Sequence, residues 1–277
     1  MGPESRGWKR AFYYVLTLGA TDLSPRALRF DDRAGRLITL IGIPSAFLLH
    51  GYVGFIFGSI KANPWWSSVL IPIVFLFSAM VSGIALVLVL YVFSSLVRSK
   101  HIDMVCLDKL ASFLLYALIV DFSLEMLDFI HRLYEAEESI GILGQLVSSR
   151  LFLSLVVLQV LLGTLVPMGL LGFISPAFGR RPVLPTSEEL RRMVYFGSAL
   201  LIQMGIFSTR WNVVIGGQLF SKSLRGLTVY KLQVLGLEGV FMTMALLLLP
   251  LVILYVMVKV MPPWIDDAPA SKAAVSS

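Results

Sequence analysis

The chain has 277 residues, of which 57% are hydrophobic and 14% charged, with a formal net charge of +6 and a mean hydropathy of +0.83. A soluble domain carries about a quarter of its residues as Asp, Glu, Lys and Arg, so this composition excludes an ordinary soluble fold and points to a bilayer. The positive charge lies in short loops between apolar runs, as topology signals do, which argues against a nucleic-acid partner. The single cysteine, Cys106, excludes a disulfide framework, an all-cysteine iron–sulfur site and a CxxC motif.

Met1–Arg10 is polar, and the next apolar run, "AFYYVLTLGAT" from Ala11 to Thr21, is too short to cross. No cleavable signal peptide is predicted, and insertion is expected to rely on internal spans. The short run reads as an interfacial helix or as the end of an earlier span. A crossing helix needs about 20 mostly apolar residues. Six stretches qualify in chain order: Leu37–Ile60; Ala62–Val97, with its helix starting near Ser67; Leu110–Ile130; Leu151–Gly179, ending near Phe173; the shorter Met193–Thr209; and Gly239–Val258. The prediction is an all-α, polytopic membrane helix bundle of about six transmembrane helices. Residues 1–36 form a cytoplasmic or interfacial segment, 37–258 the bundle, and 259–277 a disordered tail ending "APASKAAVSS".

The loops alternate in charge. Arg26, Arg29, Arg33 and Arg36 precede the first span; Arg98, Lys100 and Lys109 follow the second; Arg180, Arg181, Arg191 and Arg192 follow the fourth. The opposite side carries Lys61 and an acidic loop with Glu135, Glu137 and Glu138. This pattern predicts both termini in the cytoplasm. Arg210, Lys222, Arg225 and Lys231 break the rule in the last outer loop, where excess positive charge would suit docking of an acidic partner.

The third span, "LLYALIVDFSLEMLDFIHRLYE", carries Asp121, Glu125, Asp128 and Arg132 at spacings of four, three and four. That spacing puts them on one helical face. A carboxylate at mid-bilayer costs at least about 2.5 kcal/mol, so the face is expected to point into the bundle, and such a ladder can pass protons. For Asp128 and Arg132 an i,i+4 ion pair at the helix end is an equal alternative. In "LLHGYVGFIFGSIKANPWW", His50 sits within the first span. It reads as a packing polar group, as a haem ligand lacking a second histidine at matching depth, or as a ring titrating near neutrality that bonds a redox carbonyl. Ser78, Ser82 and Gly83 form a small face for close helix packing. Trp65 and Trp66 read as interface anchors. No P-loop, GxSxG or HExxH motif is present.

Two stretches, "GIPSAFLLHGYVGFIFGSIKANPWWSSVLIPIVFLFSAMVSGIAL" and "RWNVVIGGQLFSKSL", resemble the NrfD/PsrC-type membrane subunits, above all the HybB branch of periplasmic nickel–iron hydrogenases and the related DsrP-type subunits. The acidic helix fits the same pattern, and the likeness runs from about Asp31 to Tyr255. The resemblance implies a bundle without haem or metal of its own that binds a quinone, menaquinone or ubiquinone, near the outer face of a bacterial or archaeal cytoplasmic membrane. A ferredoxin-like iron–sulfur subunit would dock there, with a hydrogenase or molybdenum-type catalytic subunit beyond it.

Relatives use histidine, tyrosine or asparagine at the quinone carbonyl, which makes His50, Tyr52 and Asn63 the candidates here, with Trp65 beside them. Arg210, in the "RWN" motif, would stabilise a semiquinone or hold the partner. His50, Asp121, Glu125 and Asp128 would carry protons. The family usually has eight or more spans, so further spans are expected before Ala11. The rival expectations are a proton-coupled transporter and a haem-b electron carrier.

Overall fold

A computed structural model of the chain describes residues 14–15, 24–99, 101–135, 140–177, 187–220, 226–229, 234–236 and 239–260. Apart from Tyr14 and Val15, the short apolar run at 11–21 lies outside the described residues. So do the tail beyond Val260 and the loop residues Lys100, Glu137, Glu138, Arg180, Arg181, Lys222, Arg225 and Lys231. The chain divides into two units, Ile38–Tyr230 and Met1–Leu37 with Lys231–Ser277.

Helix α1, Pro25–Gly58, contains the first predicted span but starts twelve residues before it. The reason is local: the Ser24 hydroxyl accepts the Ala27 amide at 3.3 Å, and Pro25 takes the first helical position, where its missing N–H is no loss. Helix α2 is Ile71–Val97. It opens on Pro72 and closes through Ser99, whose φ of 51° turns the backbone out of the helix. Helix α3, Met104–Glu135, is capped by Asp103, whose Oδ1 accepts the Val105 amide at 2.9 Å.

The fourth span is not one α-helix. After a short α4, Ile140–Gln145, it winds as π-helix through Leu146–Arg150 and Phe152–Leu165, then returns to α-helix as α5, Val166–Ile174. Helix α6, Glu188–Gln218, starts on the cap Ser187 with Glu188 and Glu189 in its first turn, where acids complement the helix dipole. Helix α7, Val240–Val260, belongs to the second unit and is apolar on every side. Among the described residues there is no strand, only an antiparallel bridge between Phe220 and Leu227.

Five of the six predicted spans match helices that are long and apolar enough to cross a membrane. The sixth, α6, is long enough but is not among those five, because it is the polar centre of the bundle. It packs against α2, against the π-helical stretch and against α5. At the π-stretch crossing the two backbones touch: a Cβ added to Gly205 would lie 2.6 Å from the Gly163 Cα. Small residues allow this approach, and in lipid such packing replaces the hydrophobic drive that water provides.

The core between α2, α3, α5 and α6 is apolar: Val81, Ala85 and Leu88; Leu107, Ala111, Leu114 and Leu118; Leu171; Tyr195, Ala199 and Ile202 are all buried. On α3 the same inward seam continues at steps of three and four into Asp121, Glu125, Asp128 and Arg132. One helix stripe therefore changes from hydrocarbon to charge partway along its length, and the candidate site lies where it changes.

Candidate functional site

Beyond this core lies a cavity of about 280 Å³ bounded by α2, α3, the π-helical stretch, α6 and the α1–α2 loop. Its walls are mostly apolar, including Ile71, Val74, Phe75, Val156, Val160 and Val213. The polar groups that reach it are Glu125, Asp128, Arg132, Gln159, Thr209 and Asn212, and Trp65 forms part of one wall.

The polar groups form two clusters. In the first, Ser154 donates to Asn212 Oδ1 at 2.6 Å, Asn212 donates to Gln159 Oε1 at 2.8 Å, and Gln159 donates to Glu125 Oε2 at 3.2 Å. Every link points the same way, so the chain ends with an amide N–H aimed at the carboxylate. Thr209 reaches Glu125 Oε1 at 3.4 Å as well. The amide groups of Gln159 and Asn212 each spend one N–H in this chain and keep a second donor.

The second cluster holds the α1–α2 loop. Ser68 donates to Asp128 Oδ1, and Arg132 forms an ion pair with Asp128 Oδ2. Arg132 also donates to the Trp65 carbonyl at 2.5 Å, and its guanidinium lies 5.3 Å from the Trp65 ring centre. The loop is tied to the end of α6 by three further bonds to backbone carbonyls: Asn63 to Gly217 at 2.8 Å, Trp65 to Asn212 at 2.9 Å and Trp66 to Val213 at 2.6 Å. Gly216 and Gly217 make room for the two indoles. A Cβ on Gly216 would lie 2.6 Å from Trp65 Nε1, and one on Gly217 would collide with the Trp66 ring. Trp65 is therefore held from both sides and presents a fixed wall to the cavity.

The sequence profile of the family described as polysulphide reductase, NrfD, matches residues 13–222. The chain belongs to this family. With several helices apolar enough to cross a bilayer, this NrfD-family chain is an integral membrane protein. It is 29% identical over 217 residues to a selenate reductase subunit from Mesobacillus selenatarsenatis, a match covering 76% of this chain and 47% of that protein. The chain thus spans about half the length of the curated relative it matches. No solved structure gives a significant match.

On this NrfD-family bundle the residues singled out from sequence fall into three groups. Trp65, Glu125 and Asp128 line the cavity, and Asn63 fastens the loop that carries Trp65. Asp121 and Arg210 do not line it. Asp121 is 2% exposed, and its Oδ1 has no hydrogen-bond partner among the described residues. Arg210 donates to Ser78 Oγ at 2.6 Å and to the Phe75 carbonyl at 3.1 Å, and its guanidinium sits 3.9 Å from the Phe75 ring centre. Its charge acts on both Asp121 and Glu125. Thus Ser78, expected only to pack, holds a guanidinium.

The third group is on α1. His50 is exposed, with Nδ1 2.9 Å from the Ala46 carbonyl of its own helix, and Tyr52 is 62% exposed. The fold does not bring either to the cavity. Before Gly54 this helix is exposed around nearly its whole circumference, so His50 and Tyr52, on opposite sides of it, both stand away from the cavity. Sequence reasoning missed Gln159, Thr209 and Asn212. Gln159 is a lone amide in the apolar run "LFLSLVVLQVLLGTL", and that isolation was the signal available. Among the described residues no three His, Cys, Asp or Glu side chains converge as metal ligands would.

Proposed function

We propose that this chain is the quinone-reactive membrane subunit of a respiratory reductase complex, exchanging electrons between an iron–sulfur partner and the menaquinone or ubiquinone pool. The observation that carries this reading is the cavity: apolar walls around a short, directed chain of amides that ends on Glu125. Ligand sites are typically mostly apolar with a few convergent polar groups, and they run from about 300 to 1,000 Å³. At about 280 Å³ this cavity suits a ring of quinone size, with an isoprenoid tail left among the lipids. A quinone bound there would supply two-electron, two-proton redox chemistry.

The chain's own residues have distinct tasks in this reading. Val74, Phe75 and Val156 keep water from the ring. The spare N–H groups of Gln159 and Asn212 orient a carbonyl. Glu125, gripped by Gln159 and Thr209, gives and takes the proton, which is ordinary general acid–base work for a positioned carboxyl. Arg210 supplies a fixed positive charge behind Glu125. Asp128 and Arg132 hold the Trp65 wall. The likeness to a selenate reductase subunit supports a place in a reductase complex. The ferredoxin-like iron–sulfur subunit and a catalytic subunit would then meet the outer face of a cytoplasmic membrane, with both chain termini on the inner side.

Fluorescence quenching tests the reading. A short-chain naphthoquinone titrated into the purified chain should quench saturably, and Trp65→Phe should remove most of the quench. His50→Ala should leave it unchanged. Quenching that survives in Trp65→Phe and disappears in His50→Ala would place the quinone on α1 instead.

A further inference from the structure

The arginines at the start of α1 have no part in the quinone reading. Arg26, Arg29, Arg33 and Arg36 follow one another at steps of three, four and three. At about 100° per residue they fall within an arc of roughly 80°, with Asp31 on the other side of the helix. A topology signal needs positive charge but no common face. This segment has both.

Arg26, Arg29 and Arg33 line a cleft together with Phe30, whose side chain is 71% exposed. Arg29 folds back on the Pro25 carbonyl at 3.0 Å and Arg36 on the Asp32 carbonyl at 3.3 Å, which steadies them. Among the described residues Arg26 and Arg33 make no hydrogen bond or ion pair, even though Asp31 and Asp32 are close in sequence. Two guanidiniums are left free beside two steadied ones.

The cleft also lies at a defined depth. The apolar run from Leu37 to Gly58 is about 33 Å long at 1.5 Å per residue, which matches a hydrocarbon core of about 30 Å. Arg36 and Arg33 then fall in the headgroup layer. Arg29 and Arg26 stand about 11 and 15 Å above Arg36, the nearer of them within a Debye length of the lipid surface.

We propose that this face is a binding site for the headgroup of an anionic phospholipid, with its phosphate held between Arg29 and Arg33, Arg26 completing the cationic rim and Phe30 forming the apolar side of the cleft. The occupant is a lipid because the cationic face continues directly into the apolar helix that lipid surrounds. A guanidinium grips phosphate through paired N–H donors, which a lysine does not do.

The test uses the full chain, delipidated in detergent, with native mass spectrometry and thermal unfolding as readouts. Dioctanoyl phosphatidylglycerol, dioctanoyl phosphatidylcholine and inorganic phosphate are titrated in parallel. Phosphatidylglycerol should bind and raise the midpoint, phosphatidylcholine should bind at least tenfold more weakly, and inorganic phosphate should not compete at equal concentration. Arg26→Gln/Arg29→Gln/Arg33→Gln should weaken phosphatidylglycerol roughly tenfold or more. Its lipid-free midpoint and its quenching by a naphthoquinone should match wild type.

Equal binding of the two lipids, or full retention of phosphatidylglycerol by the triple variant, overturns the proposal. Competition by inorganic phosphate also overturns it, leaving a free-anion site. So does a wild-type chain that ignores all three ligands, which would reserve the face for an acidic protein.

Discussion

Glu125 and Asp128 are three residues apart on one helix, yet they sit in different surroundings. Among the described residues Glu125 accepts hydrogen bonds only from uncharged donors, Gln159 and Thr209, and it lines the cavity. Glu125→Gln should therefore lower quinone turnover by about a hundredfold, the scale of a lost general acid–base group, with the complex still assembled; loss of assembly would assign it a structural role. Asp128 is committed to Arg132 and Ser68, and both members of the ion pair are buried. Removing one partner strands the other charge, which typically costs about 3–5 kcal/mol. Asp128→Ala should lower the thermal midpoint in detergent markedly, while an Asp128→Ala/Arg132→Met double variant should regain much of the loss. An unchanged midpoint in the single variant would show that the ion pair holds nothing.

At the scale of elements, the contacts that matter are backbone approaches. Gly163 and Gly205 let the π-helical stretch lie directly on α6, and this brings Gln159 on one element to Asn212 on the other. Gly205→Ala puts a methyl where no space exists, and overpacking of this kind costs about 1–3 kcal/mol. The expected signature is a lower midpoint together with weaker quinone-analogue quenching, because the amide chain is pulled apart. Gly83, with nothing near its absent Cβ, is the control, and Gly83→Ala should leave both readouts unchanged. The π-winding fits the same account. π-Turns are uncommon and often mark functional sites, and here they set the side-chain directions around Gln159.

For the whole molecule, the polar groups are sorted by end. The cavity lies toward the α1–α2 loop. The other end of α3 and α6 is closed by a separate clamp, where Arg191 pairs with Asp108 and Tyr195 donates to Asp108 at 2.9 Å. Cys106 is exposed near that second end and is the one cysteine in the sequence, so it reports orientation without engineering. With the termini cytoplasmic, a membrane-impermeant maleimide should label Cys106 in inside-out vesicles and not in right-side-out ones. The reverse pattern would put the cavity on the cytoplasmic side and invert the proposed partner arrangement.

The sequence by itself determined the class of structure and where most helices lie, because a bilayer demands long apolar runs that can be counted. It also determined the charged stripe on α3, since a helix repeats regularly and the spacing of Asp121, Glu125, Asp128 and Arg132 fixes their common face. The family likeness rested on two long stretches that contain "KANPWW" and "RWNVVIGG", and the fold gives these two segments a physical meaning: the indoles of one fit over the glycines of the other. Only the tertiary structure decided which polar residues share a cavity. Gln159 comes from the π-helical stretch and Thr209 and Asn212 from α6, all more than 30 residues from Glu125 along the chain, and an uncharged amide leaves little trace in hydropathy. His50 stood out in sequence because it is polar among apolar neighbours, but its helix approaches the bundle closely only further on, where Gly54 and Gly58 meet the Ser68–Pro72 segment, and periodicity within one helix cannot show where along its length it meets the others.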